Sequence, residues 1–343
     1  MWIWVLSLFS SAVYCYIIIR FYYHYSTLYN TVKSPQNNIE NKPPQTKFSI
    51  IIAVRNEAEN LAPCLKSLQQ LNYPPELFEI IFINDDSSDQ TVQILQQSQP
   101  FFNNLKILHA NDYSSISVAK KKALEYGISE AIYPWIICTD GDSVVPPQWL
   151  ASFDYYIQQH DVVMIAAPCE LIIGTGFWQE FQQADFLSLQ GITAAVVSSK
   201  KYALANGANL AYSKESFIQL NGFAGHEKIP TGDDMLLMQK MYQKLGWNKI
   251  GYLLNQNAIV KTNGAKNFSE FIHQRVRWGS KFKQAETGSL KTTMVIAYLF
   301  QLLIVCTGLA SIFYSNLLIG FLVLFLSSAI AELIFMVAIT SFF

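Results

Sequence analysis

The triplet Asp140-Gly141-Asp142 is the sharpest chemical signal in this sequence. Two carboxylates two residues apart, closing an apolar run, can point into one cleft, where like charges repel. A divalent cation removes that conflict, and Mg2+ or Mn2+ takes carboxylate oxygens together with oxygens of substrate phosphates. Such an ion stabilises negative charge as it builds on a departing diphosphate. Asp and Gly are also turn formers, and the triplet alone reads better as a polar turn after a strand. Two other polar stretches close apolar runs in the same way, Ala53-Val54-Arg55-Asn56-Glu57 and Asn84-Asp85-Asp86-Ser87-Ser88-Asp89.

The periodicity around these stretches says what positions them. Phe48–Val54 is continuously apolar, the pattern of a parallel strand covered on both faces. Leu61, Cys64, Leu65, Leu68 and Leu71 then recur at helical spacing after an acidic first turn. Phe78–Ile83 reads as a second strand, Asp89-Gln90-Thr91 opens a helix through Leu95, and Leu105–Leu108 is a third strand. A basic helix over Val118–Tyr126 and a fourth strand over Trp135–Thr139 follow. Strands alternating with helices give an α/β fold with a mainly parallel sheet and right-handed crossovers. Ligands of such sheets bind outside the carboxyl ends of the strands, where all three polar stretches fall. No Gly-x-Gly occurs before residue 174. The glycine-rich turn of a nicotinamide-dependent dehydrogenase is therefore missing, and Arg-Asn-Glu stands in its place.

These motifs, in this order, resemble those of family 2 inverting glycosyltransferases with the GT-A fold. Ala53–Glu57 is similar to the family's first-strand motif, with Arg55 where many members carry Tyr. Asn84–Thr91 is similar to Asp-Asp-Gly-Ser-x-Asp-x-Thr, and Asp140-Gly141-Asp142 matches the metal motif. Thr231-Gly232-Asp233-Asp234 resembles Thr-Glu-Asp, departing from it at Gly232 and Asp233. Gln274-Arg275-Val276-Arg277-Trp278 has the spacing of Gln-x-x-Arg-Trp. The resemblance covers about residues 48–280. It implies a nucleoside-diphosphate sugar held by Ala53, Arg55, Glu57, Asp85 (on the nucleobase), Lys120, Asp140 and Asn209. It places Asp142, with Asp140, on Mg2+ or Mn2+. Asp234, with Asp233 beside it, falls on the base that deprotonates an acceptor hydroxyl, although helix N-capping explains both residues equally well. Gln274, Arg277 and Trp278 fall on the diphosphate and acceptor, Arg277 through its planar fork and Trp278 by stacking on a sugar. The alternative for that segment is a basic helix, with His273, Arg275, Lys281 and Lys283, gripping anionic headgroups. Phe177–Val197 is either an interfacial helix or a core helix.

Of 343 residues, 51% are hydrophobic and only 14% charged, against roughly 25% charged in soluble domains. Trp2–Ile19 carries no charge, and 40 uncharged residues separate Lys291 from Glu332. These lengths predict one N-terminal and two C-terminal transmembrane helices, the latter over Thr292–Phe313 and Leu317–Phe343. Glu332 should then face protein or lie near an interface. Basic residues inside both anchors put the middle of the chain on the cytoplasmic side of a bacterial-type inner membrane. The expected layout is an anchor over 1–25, a linker over 26–47, a catalytic domain over 48–290 and a membrane hairpin over 291–343. Five dispersed cysteines fit a reduced compartment, and a net charge of -1 excludes a broad nucleic-acid footprint.

The function so implied is transfer of a hexose or N-acetylhexosamine to a glycan or lipid-linked acceptor at the membrane, with lipids as neighbours. The Gln-x-x-Arg-Trp match points to a growing polysaccharide, and the short membrane part to single additions. A non-catalytic membrane scaffold with a retained nucleotide-binding fold is the alternative from another class. A nucleotidyltransferase would need a basic, glycine-rich loop after the first strand, where this chain has an acidic helix start.

Overall fold

The computed structural model describes residues 2–32, 43–110, 120–225, 233–281 and 288–343. Thr231 and Gly232, residues 33–42 of the expected linker, Lys283, and the side chains of Asp233 and Lys281 lie outside the described residues.

The chain opens with a long helix, α1 (Trp2–Val32), and then alternates strands and helices. In order come β1 (Phe48–Val54), α2 (Leu61–Gln69), β2 (Phe78–Asn84), α3 (Thr91–Ser98), β3 (Leu105–His109), α4 (Lys120–Glu130) and β4 (Trp135–Cys138). Next are α5 (Trp149–Gln159), β5 (Met164–Ala166), β6 (Cys169–Ile172), α6 (Phe177–Ser198), β7 (Leu210–Ser213) and α7 (Lys214–Gln219). α8 (Asp233–Leu245), β8 (Ile250–Tyr252), β9 (Val260–Asn263), α9 (Phe268–Lys281), α10 (Gly288–Ser311) and α11 (Leu318–Thr340) complete the chain.

The main sheet has the order β3-β2-β1-β4-β7-β5-β8, and only β7 runs against its neighbours. Alternation along β1 explains why the sheet is covered on both faces. Phe48, Ile50, Ile52 and Val54 pack with Leu61, Cys64, Leu65 and Leu68 of α2. Ile51 packs on the other face with Ala123, Leu124 and Ile128 of α4. A parallel strand buried on both sides is apolar nearly throughout, with Ser49 the one polar residue of β1, which is why the period-2 signal is absent from the sequence.

Register aligns the carboxyl ends. Val54 lies opposite Asn84, and Ile51 opposite Cys138, so the segments after β1, β2 and β4 emerge together. Antiparallel β7 begins at the same edge, because Leu210 pairs with Cys138. Its leading loop, 206–209, therefore joins them. A second, two-stranded sheet of β6 and β9 brings Thr262 beside this edge.

α1, α10 and α11 are long and apolar enough to cross a membrane. Their outward faces carry exposed Leu8, Phe9, Ile19, Leu302, Leu309, Phe325 and Leu333, which suit lipid rather than water. Glu332 faces protein, accepting hydrogen bonds from Tyr14 Oη at 2.5 Å and Gln301 Nε2 at 3.2 Å, so its polar end is not left bare in hydrocarbon. α6 packs on α1 and α11; a Cβ at Gly191 would run into Ile339, so the approach of α6 to α11 depends on that glycine.

Candidate active site

The edge formed by β1, β2, β4 and β7 carries most of the acidic residues singled out in the sequence. Gly141 sits so tightly that a Cβ there would approach Val54 Cγ1 to 2.7 Å and Glu57 Cγ to 3.3 Å. Its hydrogen is what allows Asp140 and Asp142 to lie against the end of β1. Lys120 Nζ reaches Asp140 Oδ1 at 2.7 Å, so two expected donor-side residues meet directly. Asp142 is half-buried, and its Oδ2 accepts from Thr262 Oγ1 at 3.1 Å. Burial, and then the neighbouring Asp140 carboxylate, pushes the Asp142 carboxyl upward. Glu57 is raised chiefly by burial, with Asp142 and Asp140 adding to it. The three carboxylates thus act on one another, although among the described residues no three His, Cys, Asp or Glu side chains are gathered closely enough to form a ready metal cluster.

One strand over, Asp85 is 7% exposed and its Oδ1 has no hydrogen-bond partner among the described residues. Burial raises its carboxyl, partly offset by the Arg55 guanidinium at 3.9 Å. Positive φ values at Asn56 and Asp86 make the sharp turns after β1 and β2. The two turns are cross-linked where Ser87 Oγ accepts from Asn56 N at 3.0 Å and Asn56 Oδ1 from Ser88 N at 2.8 Å. Glu57 N donates to Thr91 Oγ1 at 2.8 Å. Ala53 lies in β1, partly buried against the core, with Ile83 as its register partner.

Asp234, on the first turn of α8, is buried. Its Oδ2 accepts from Gly207 N at 3.0 Å and its Oδ1 from Met235 N at 2.7 Å. A crevice lined by Lys120, Cys138, Thr139, Asp140 and Gly207 also contains Asp234, so this carboxylate faces the Asp140 side of the edge. It lines a second, larger cavity of about 330 Å³ as well, together with Trp278, Phe186, Gln190 and Asn206. Asp234 therefore stands where the two spaces meet.

Three expectations need correction. Asn209 is fully buried, donates from Nδ2 to Pro168 O and Ala258 O at 2.7 Å each, and accepts from Trp149 Nε1 at 3.0 Å. Its amide is consumed in shaping the loop and has nothing left for a sugar. Arg275 is not a surface grip for headgroups. It is ion-paired with Asp185, flanked by the rings of Phe271 and Trp278 at 4.3 and 4.4 Å, and donates to Gln274 Oε1 at 2.9 Å. That pairing also fixes Gln274. Arg277 is exposed and lines neither the crevice nor the cavity. Trp278 does reach the cavity, tilted against Phe186.

On α6, Phe186, Leu187 and Ala194–Val197 are buried in the core, whereas Phe177 and Phe181 are exposed, with the Phe181 ring against Phe271 of α9. Sequence reasoning missed Thr262 and the Gly207 amide; the Asn-Gly turn was visible, but only the β4–β7 register shows what it contacts.

An α/β sheet with acidic turns at its carboxyl edge, an Asp-Gly-Asp loop and an apolar helical base defines a GT-A-type transferase. Sequence comparison agrees. The profile of Glycosyl transferase family 2 matches residues 49–220, and that of Glycosyl transferase family group 2 matches residues 135–343. The chain belongs to glycosyltransferase family 2. Glycosyltransferase AglE of Haloferax volcanii is 25% identical over 236 residues, 67% of this chain and 71% of that protein. Poly-beta-1,6-N-acetyl-D-glucosamine synthase of Staphylococcus aureus is 31% identical over 131 residues, 37% of this chain and 28% of the synthase's length. The mannosyltransferase PcManGT of Pyrobaculum calidifontis, solved with GDP-Man and Mn2+, superposes with a TM-score of 0.60 at 13% identity, covering 96% of this chain and 99% of that one. At that identity the likeness speaks for the fold alone, over nearly the whole chain.

Proposed function

We propose that the protein transfers a sugar from a nucleoside-diphosphate sugar to an acceptor hydroxyl at the cytoplasmic face of a bacterial-type inner membrane, with inversion. The observation that carries this reading is Asp234, buried yet facing the Asp140–Lys120 crevice on one side and a membrane-side cavity on the other. A base in that position can serve a donor and an acceptor that arrive from different directions.

The donor binds at the carboxyl edge, its base beside Asp85, where a buried carboxylate oxygen awaits a donor group. Arg55 and Lys120 supply positive charge there. Asp142 with Asp140, two carboxylates two residues apart beside the end of β1, would hold Mg2+ or Mn2+. When bound, the ion neutralises the diphosphate leaving group. Asp234 accepts the proton of the acceptor hydroxyl as its oxygen bonds to the anomeric carbon. The bond from that carbon to the diphosphate oxygen breaks, and nucleoside diphosphate departs. Gly207 N and Met235 N hold the carboxylate in place for this step.

The exposed apolar faces of α1, α10 and α11, with Arg20 closing the charge-free first part of α1 and Lys291 near the start of α10, support membrane spans and a cytoplasmic domain. On this layout the anchor is α1, the catalytic domain runs to residue 290, and α10 and α11 form the C-terminal hairpin. The decisive experiment incubates full-length protein with a panel of nucleotide-sugars, N-acetylglucosamine donors first, with and without Mn2+. Nucleoside diphosphate release that needs the ion and is lost in Asp142→Asn is expected. Release that ignores both the ion and the substitution removes Asp142 from the site, and no release with any donor favours the scaffold alternative.

A further inference from the structure

We propose that the acceptor is a sugar carried on a lipid phosphate, which enters from the bilayer between α1, α6 and α10 with its phosphate held by Arg20, His24 and Lys201. This rests on the sugar-transfer reading above and names the acceptor of the same site. The 330 Å³ cavity that ends at Asp234 and Trp278 is walled largely by hydrocarbon, including Ile18, Leu189, Ile192 and Ala297. A free glycan would leave its hydroxyls without partners along such a wall. A lipid chain loses nothing there, because two of the three walls belong to helices suited to crossing a membrane.

A small recess adjoins this cavity and shares Ile17, Phe21 and Thr293 with it. Its other wall is polar: Arg20, His24 and Ser199, with the Tyr202 ring behind them. Lys201 stands close enough that it and Arg20 both bear electrostatically on His24. Arg20 also rests over the Tyr16 ring at 5.8 Å, an arrangement suited to the headgroup level. No ion pair joins Arg20, His24 or Lys201 to a carboxylate among the described residues. Two cations, Arg20 and Lys201, gathered near the His24 ring repel one another until an anion joins them, and a phosphate accepts several hydrogen bonds at once, from the ring and Ser199 as well as from the cations. The shared wall makes one path of the two spaces. A phosphate at Arg20 thus leaves the sugar beyond it pointing along the cavity toward Asp234.

The test uses full-length protein in phosphatidylcholine nanodiscs, titrated with radiolabelled polyprenyl phosphate. Saturable binding is expected, weakened tenfold or more by Arg20→Ala and by Ala297→Phe, which narrows the cavity without altering charge. If Ala297→Phe misassembles, Arg20→Ala alone decides. Equal binding by wild type and Arg20→Ala overturns the proposal. Displacement of the probe by phosphatidylglycerol at equal mole fraction also overturns it, leaving Arg20 an ordinary headgroup anchor. Nucleoside diphosphate release from the same preparations separates this proposal from the reading beneath it. Donor cleavage without saturable polyprenyl phosphate binding sinks the acceptor assignment alone. Lipid binding without cleavage of any donor sinks sugar transfer, and the acceptor assignment with it.

Discussion

Asp234→Asn separates a catalytic carboxylate from one that only caps a helix, and the structure sets the size of each effect. The carboxylate accepts from two backbone donors, Gly207 N at 3.0 Å and Met235 N at 2.7 Å. An asparagine keeps one acceptor oxygen and turns an amide toward the other N–H, so one buried donor loses its partner. That costs about 1–3 kcal/mol. Set against a total stability of about 5–15 kcal/mol, such a loss leaves nearly all molecules folded. A purely structural role therefore predicts turnover within about twofold of wild type, by the same stability arithmetic. Removing a general base predicts a fall of about 10²- to 10⁴-fold, which is about 3–5 kcal/mol in the barrier at 1.36 kcal/mol per decade. The assay is nucleoside diphosphate release and thermal unfolding on one preparation. Asn206→Ala serves as control, because it removes the acceptor of Ala208 N at 3.1 Å and loosens the same loop without touching the carboxylate. Turnover of Asp234→Asn that tracks its unfolding as the control does would refute the assignment.

Gly141→Ala should lower stability by about 1–3 kcal/mol, because Val54 is enclosed in the core and the new methyl would meet its Cγ1; chemical denaturation reads the loss, and an unchanged midpoint contradicts the packing. Asn209→Ala strands Trp149 Nε1 and two carbonyls, so about 3 kcal/mol or more is lost; yield and melting temperature should fall rather than donor affinity, and a stable variant with raised KM would restore Asn209 to the sugar site. Asp85 gives a pH signature: burial holds its folded carboxyl above its unfolded value, so the unfolded chain releases that proton first as pH rises. Wild-type stability then declines through that acidic window relative to Asp85→Asn, and the melting temperatures of the two should converge below it; parallel curves across pH would mean that the carboxyl is not desolvated.

The strand-helix alternation was legible because β1 and β2 are apolar almost throughout, broken only by Ser49, Glu79 and the terminal Asn84, and helix periods follow them. The three long apolar helices were legible from charge-free length, though α1 runs on past Arg20 to Val32, and the protein-facing side of Glu332 from the expense of a bare carboxylate in an apolar helix. What escaped the sequence depends on pairing between distant segments. Arg275 and Arg277 look interchangeable in one basic helix, yet helical rotation turns one toward Asp185 and the other outward. Asn209 looked like a ligand because buried and ligand-binding amides have the same composition around them. Only its three bonds to Trp149, Pro168 and Ala258 distinguish the two.

The single antiparallel strand explains how the site joins two compartments. In a wholly parallel sheet, the segment preceding a strand lies at the amino edge, away from the ligands. Because β7 is reversed between β4 and β5, the segment preceding it is delivered to the carboxyl edge instead. That places Gly207 next to Cys138 and within reach of Asp234, and it carries Leu204–Asn206 onward into the wall of the membrane-side cavity. One short loop thus touches the crevice at Asp140, the Asp234 carboxylate and the apolar cavity. Met235 makes a second link, because it lines the cavity and its N–H also donates to Asp234. Reversing one strand therefore sets the crevice and the cavity on two sides of a single carboxylate.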